Sequence, residues 1–227
     1  MSKQAGHPRL AIPEIPLIGL LCALAGSVDA AAYLLCGQIF VANMTGNTVL
    51  LGISLLQRNP KEAVLRAGMV AAFLAGVIVA RLLAGTADKR LTKTQRVFIL
   101  GIESLLLLLL TSKNAGAHTD LLLLLLACML GIQNAAFQNI GAFHLNTTFI
   151  TGDLEKLGEA ITDMFDALPK TTTFLVSWIA YAGGACLGAL NALNLPHHGF
   201  LVPTILAVAS VITVTLMPDL AERESGG

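Results

Sequence analysis

Six apolar windows, near residues 15–36, 62–84, 97–112, 119–141, 171–193 and 200–217, constrain this chain more than any other feature of it. A run of about 20 apolar residues, rising 1.5 Å per residue, covers the roughly 30 Å hydrocarbon core of a bilayer. The window 97–112 is short, but Leu105 to Leu110 leave lipid as its preferred surroundings. The charges agree with this reading. Fourteen basic and 14 acidic residues are too few to make a polar shell over a chain that is 55% apolar. A net charge of zero and the lack of a basic stripe argue against a nucleic-acid partner. The expected fold is an all-α membrane protein, a single integral domain over residues 1–227 with the lipid bilayer as its first partner.

The N-terminal stretch mimics a secretory signal, with Lys3 and Arg9 ahead of apolar Leu17 to Ala25. It reads instead as an uncleaved first span, because Gly26-Ser27-Val28-Asp29-Ala30-Ala31 recurs as Gly131-Ile132-Gln133-Asn134-Ala135-Ala136 inside a later window. The same period of about 106 residues relates Thr45-Gly46-Asn47 and Leu51-Gly52 to Thr151-Gly152-Asp153 and Leu157-Gly158. Pro60-Lys61 matches Pro169-Lys170, and Phe73-Leu74-Ala75-Gly76 matches Tyr181-Ala182-Gly183-Gly184. The chain therefore reads as two related halves, about 12–112 and 118–218.

Two further windows, 40–57 and 146–168, decide the topology. The second carries Asp153, Glu155, Lys156, Glu159, Asp163, Asp166 and Lys170, a charge load too costly for lipid. Its apolar residues Leu154, Leu157, Ile161, Met164, Phe165 and Leu168 fall at helical spacing, which predicts an amphipathic helix along an interface or vestibule. Lys and Arg placement does not arbitrate. Six spans with a cytoplasmic N-terminus put nine basic residues inside and four outside, and eight spans give the same score, because the 58–66 and 85–96 groups exchange sides. The charges after Thr151 favour six spans plus two polar re-entrant or interfacial helices. Each half then has three spans, an odd number, so the two repeats must be inverted.

Polar residues inside these windows are the candidate site. Asp29 lies in the first span, and its counterpart Asn134 sits beside Gln133 and ahead of Gln138, Asn139 and His144. A carboxyl group at that depth should face the protein interior, either as a proton or cation site or as a hydrogen-bond acceptor that holds the first span to its neighbours. Asn43, Thr45, Asn47 and Thr48 before one short helix, and Thr151 and Asp153 before the other, resemble helix starts whose free N–H groups would face a solute from the two sides of the membrane, unless they merely cap surface helices. Arg81 and Glu103 flank the 85–96 loop at similar depth and are expected to form a structural ion pair, with Arg81 alternatively reaching toward the basic loop. Gly76 with Ala80, and Gly184 with Gly188, are small residues four apart that predict close helix packing, of these two spans on each other or on a second subunit.

Cys22, Cys36, Cys128 and Cys186 lie in apolar stretches without CxxC spacing, which suggests packing rather than metal or disulfide chemistry. His197-His198 has no partner at metal-ligand spacing, so no metal or cofactor is expected. No nucleophile elbow, zinc helix, phosphate loop or dinucleotide fingerprint is present, and the chain is not expected to be an enzyme.

The run from Gly26-Ser-Val-Asp-Ala to Phe40-Val-Ala-Asn-Met-Thr-Gly-Asn-Thr-Val-Leu-Leu-Gly52, with Gly131-Ile-Gln-Asn-Ala and Thr151-Gly-Asp further on, closely resembles the YoaK-like family of bacterial integral membrane proteins, a domain of unknown function. The similarity spans nearly the whole chain. It implies a multi-pass protein of the bacterial inner membrane with about six spans, sometimes described as a transporter, and it brings no functional residues to carry over. The functional expectation is a small secondary transporter or channel for an unknown solute or ion, proton-coupled through Asp29, with both termini cytoplasmic. A non-transporting scaffold that binds a membrane partner, and a half-transporter completed by a homodimer, remain alternatives.

Overall fold

The computed structural model describes residues 14–84, 91–112, 119–140, 143–144, 150–162 and 168–218. Its helices are α1 (Glu14–Leu35), α2 (Met44–Leu56), α3 (Pro60–Leu83), α4 (Lys93–Thr111), α5 (Thr119–Ala136), α6 (Ile150–Thr162), α7 (Leu168–Asn194) and α8 (Leu201–Leu216). A 3-10 turn, Pro196–His198, extends α8 backward, and a two-residue antiparallel pairing sets Asn139 opposite His144 and Ile140 opposite Phe143. Six of the helical segments are long and apolar enough to cross a membrane, while α2 is apolar but shorter.

Local chemistry explains the boundaries. The Asn43 side chain accepts from the Gly46 N–H at 3.0 Å and so starts α2. Asn59 does the same for Glu62 at the start of α3, with Pro60 in the first helical position, where its missing N–H costs nothing. Thr92 and Gln95 form a reciprocal capping box that starts α4 at Lys93. That cap lengthens the short window 97–112 to 19 residues, about 28 Å of helix. At the other extreme, α5 ends at Ala136, short of the expected 141, where the chain turns into the strand pairing.

The core is divided by depth, and the division gives each helix its direction. One cluster joins the later residues of α1 and α4 (Val28, Ala31, Leu107, Leu110) and Ala192 of α7 to the earlier residues of α3, α5 and α8 (Met69, Leu123, Leu126, Ala207). The other joins the early residues of α1, α4 and α7 (Leu17, Leu21, Ile99, Phe174) to the late residues of α3, α5 and α8 (Ala80, Ile132, Val214). Helices α1, α4 and α7 therefore run one way, and α3, α5 and α8 run the other. Since α1 ends and α3 begins at the same depth, α2 enters and leaves on one face. Because α5 ends and α7 begins at the opposite depth, α6 does the same there.

Glycines set the closest contacts. The main pairings are α1 with α7 and α3 with α5. A Cβ on Gly26 would overlap the Tyr181 carbonyl, and one on Gly184 would overlap the Ala23 carbonyl. At repeat-equivalent places, a Cβ on Gly131 would meet the Phe73 carbonyl and one on Gly76 the Cys128 carbonyl. Gly188 packs on Ser27, and Ala80 is buried in the second cluster. The expected contact of the Gly76 span with the Gly184 span is thus corrected. Each packs on the first span of the other half, because that span offers a glycine of its own and the two backbones close on one another mutually.

Candidate functional site

The chain reverses sharply after α1, and the reversal builds the most unusual feature of the molecule. Gly37 and Gln38 take left-handed conformations, with φ of 81° and 56°. The chain then turns inward, so that Ile39, Val41 and Ala42 join the core without forming a helix. Backbone N–H groups in an apolar interior need acceptors. Asp29 supplies them: its Oδ1 accepts from the Val41 and Ala42 N–H groups, both at 2.7 Å, while its Oδ2 accepts from the Tyr181 hydroxyl on α7 at 2.8 Å. Asp29 lies six residues before the end of α1, about 9 Å along the axis. The start of α2 is therefore held well inside the bundle.

Asn47 completes the anchor. Fully buried, it donates from Nδ2 to the Phe40 carbonyl at 2.6 Å and accepts the Phe40 N–H at 2.9 Å, like a strand partner. Asn43 caps the helix, whereas Thr45 and Thr48 are exposed and the Thr48 hydroxyl donates to the Met44 carbonyl at 2.9 Å. The buried residues of α2, Asn47 and Ser54, are both polar, while Val49, Ile53 and Leu56 face outward. This is an inverted amphipathic helix, suited to lipid outside and polar contacts inside. Arg66 of α3 meets its inner face, reaching the Leu50 carbonyl at 3.1 Å, the Ser54 hydroxyl and, along its own helix, Glu62 at 2.9 Å.

In the second half α6 shows the buried pattern of α2 with exchanged chemistry, while 145–148, at the positions of 39–42, lie outside the described residues. In α6 the buried positions are Asp153 and Ala160, the repeat equivalents of Asn47 and Ser54. Thr151 is exposed on its first turn. The cation changes helices: Lys156, equivalent to Leu50, places its ammonium 5.6 Å from the ring centroid of Phe174, which stands where Arg66 does in the first half. Asn134 is half-buried, and Gln138 accepts from the Arg81 guanidinium. The His144 backbone belongs to the short strand pairing, but its side chain lies outside the described residues, as do Thr147, Thr148, Met164 and Phe165.

Arg81 and Glu103 are not partners, which corrects the expected ion pair. Arg81 is exposed near the end of α3 and binds Gln138. Glu103 is fully buried, and its partner is the Gln133 amide on α5, at 2.6 and 3.1 Å from its two oxygens. They differ in depth, Arg81 lying two residues before the end of α3 and Glu103 ten residues after the start of α4, and α3 packs on α5 and α2 whereas α4 packs on α5 and α8. The site residues expected from sequence thus fall into separate groups: Asp29, Asn43 and Asn47 around the start of α2, Gln133 with Glu103, and Gln138 with Arg81.

Sequence reasoning missed Tyr181 and Arg66. The repeat carried a signal for both. Where Asp29 becomes Asn134, Tyr181 becomes Phe73, so acid and phenol disappear together. The exchange of Leu50 and Arg66 for Lys156 and Phe174 likewise keeps one cation between each short helix and the second span of its half.

Comparison with known proteins gives a family and no activity. A family model described as a protein of unknown function, DUF1275, matches residues 17–213. The UPF0700 transmembrane protein YoaK of Bacillus subtilis (strain 168) is 31% identical over 210 residues, covering 88% of this chain and 93% of that protein. No solved structure matches.

Proposed function

Because the chain belongs to the DUF1275 family, whose description names no activity, and carries six helices able to span a membrane, we propose from its own geometry that it is a transporter or channel for a small solute. In this reading the two halves are inverted repeats of three spans, each holding one re-entrant helix. The observation that carries it is the descent of residues 39–42 to the depth of Asp29, where the carboxylate binds their N–H groups. Irregular backbone at membrane depth is tolerated where it is buried in protein or lines a cavity. Paired re-entrant starts, one from each side, are how inverted-repeat transporters place solute sites.

The exposed side chains at the starts of the two short helices, Thr45 and Thr48 on one and Thr151 on the other, are the groups available to a solute, with half-buried Asn43 capping the first. Asp29 and Asn47 are already engaged by backbone and act as anchors of the first start. The same reading puts both ends of the chain on the cytoplasmic side of the bacterial inner membrane, the side that receives Lys93 and Arg96.

The test is solute-driven swelling of vesicles that contain the purified protein, with a panel of ions, amino acids, sugars and organic acids. Faster swelling than in empty vesicles for one class, blocked by Thr45→Trp, is expected. Folded protein that moves no solute, and that co-purifies with one stoichiometric membrane partner, would overturn transport in favour of a scaffold.

A further inference from the structure

Among the described residues, Glu103, paired with Gln133, is the one buried carboxyl group near the middle of a span that the re-entrant starts do not use. Glu103 sits at the midpoint of α4 and is 0% exposed. Helices α4 and α8 run antiparallel, with Thr111 meeting Thr204 at 3.1 Å at one end and Lys93 reaching the Met217 carbonyl at 2.5 Å at the other. This register puts fully buried Ser210 level with Glu103. The repeat counterpart of Glu103, about 106 residues on, is Ala209, beside Ser210 on the same helix. Glu103 therefore lies where the two halves of the chain meet.

We propose that Glu103, partnered by Gln133, is the proton-binding site of this protein. The geometry separates it from Asp29. Three donors fix Asp29, and each is best satisfied by a carboxylate. Glu103 has one partner, an amide, and an amide serves both charge states with the same heavy-atom outline. With its nitrogen toward Glu103, Gln133 donates to the carboxylate at 2.6 Å. With its oxygen there, the same separation is a hydrogen bond from a protonated carboxyl group. An Arg or Lys partner would hold the acid ionised; the amide lets a proton come and go. The step is simple: a carboxylate oxygen forms an O–H bond with a proton from water and later returns it to water.

The surroundings leave the charge of Glu103 uncompensated. No residue of α8 between Leu201 and Leu216 is titratable. On α5 the titratable side chains are Asp120, near the far end, and Cys128, more than a turn before Gln133. On α4 itself, Lys93 reaches Met217, and Arg96 lies two turns before Glu103 with its guanidinium 5.2 Å from the Phe137 ring centroid. The role of the proton in driving a solute rests on the transport reading above, but occupancy of the site can be measured without any solute.

The test is infrared titration of purified protein in lipid discs, following the carboxylic-acid carbonyl band from about pH 5 to about pH 9. The expected result is a band that titrates, is lost in Glu103→Gln, shifts its midpoint in Gln133→Leu and is unchanged in Asp29→Asn. Should Glu103→Gln fail to fold, the shift in Gln133→Leu against the unchanged Asp29→Asn decides. A band that is absent throughout, or that ignores changes at both Glu103 and Gln133, would overturn the proposal. A titrating Glu103 band in a protein that moves no solute would support the proton site while removing the transport reading.

Discussion

Asp29 is expensive to place within a span and is repaid by what it holds. Its carboxylate satisfies two backbone N–H groups and one phenol, and losing a hydrogen bond to a charged group costs about 1.5–3 kcal/mol. Tyr181→Phe should therefore destabilise the protein by about 2 kcal/mol, whereas Phe73→Tyr should bring no gain, since its counterpart acid is Asn134. Asp29→Leu should be worse than Tyr181→Phe, because it leaves two buried N–H groups without an acceptor. Chemical denaturation in detergent would check this order. Asp29 as a buried polar residue was legible in the sequence. Its role was not, because its main donors are backbone N–H groups of residues 41 and 42, which leave no mark in side-chain identity. Cys36, just beyond α1, offers a check on the local electrostatics. Burial and the neighbouring Asp120 carboxylate push its thiol up to about 11. Alkylation should be slow at neutral pH and rise about tenfold per pH unit toward that value. Asp120→Asn removes one of the two causes and should speed the reaction at fixed pH.

At the scale of elements, hydropathy located every span, since lipid-facing residues must be apolar whatever their neighbours are. It carried no information on which faces touch. Glycine did carry some: Gly76, Gly131 and Gly184 sit where a Cβ would strike the backbone of a neighbouring helix. Forced overpacking costs about 1–3 kcal/mol. Gly76→Ala and Gly184→Ala should each lower stability by that amount, while Gly52→Ala and Gly183→Ala, which face open space, should leave it unchanged or slightly raised. Thermal unfolding of the four variants in one detergent would separate these outcomes. The short helices show the opposite limit of legibility. Apolar Val49, Ile53 and Leu56 made residues 40–57 look able to cross, and in the fold they are the outer face of a helix whose inner face is Asn47 and Ser54. The hydropathy of a segment reports its contact with lipid, and a re-entrant helix makes that contact without crossing.

For the whole molecule, the number of crossings was the question that charge could not settle, because six and eight spans distribute Lys and Arg equally. Packing favours six: the late residues of α1 and the early residues of α3 share one cluster, as the proposed return of the intervening helix to the side it came from requires. The most direct test is one-sided labelling of single cysteines in a variant with Cys22, Cys36, Cys128 and Cys186 replaced. Gln38 and Gln57 flank α2 and are both exposed. Labelling of both from one side of the membrane, the side that also labels His197, with Lys93 labelled from the other, is the predicted result. Labelling of Gln38 and Gln57 from opposite sides would mean that α2 crosses, and would contradict the account.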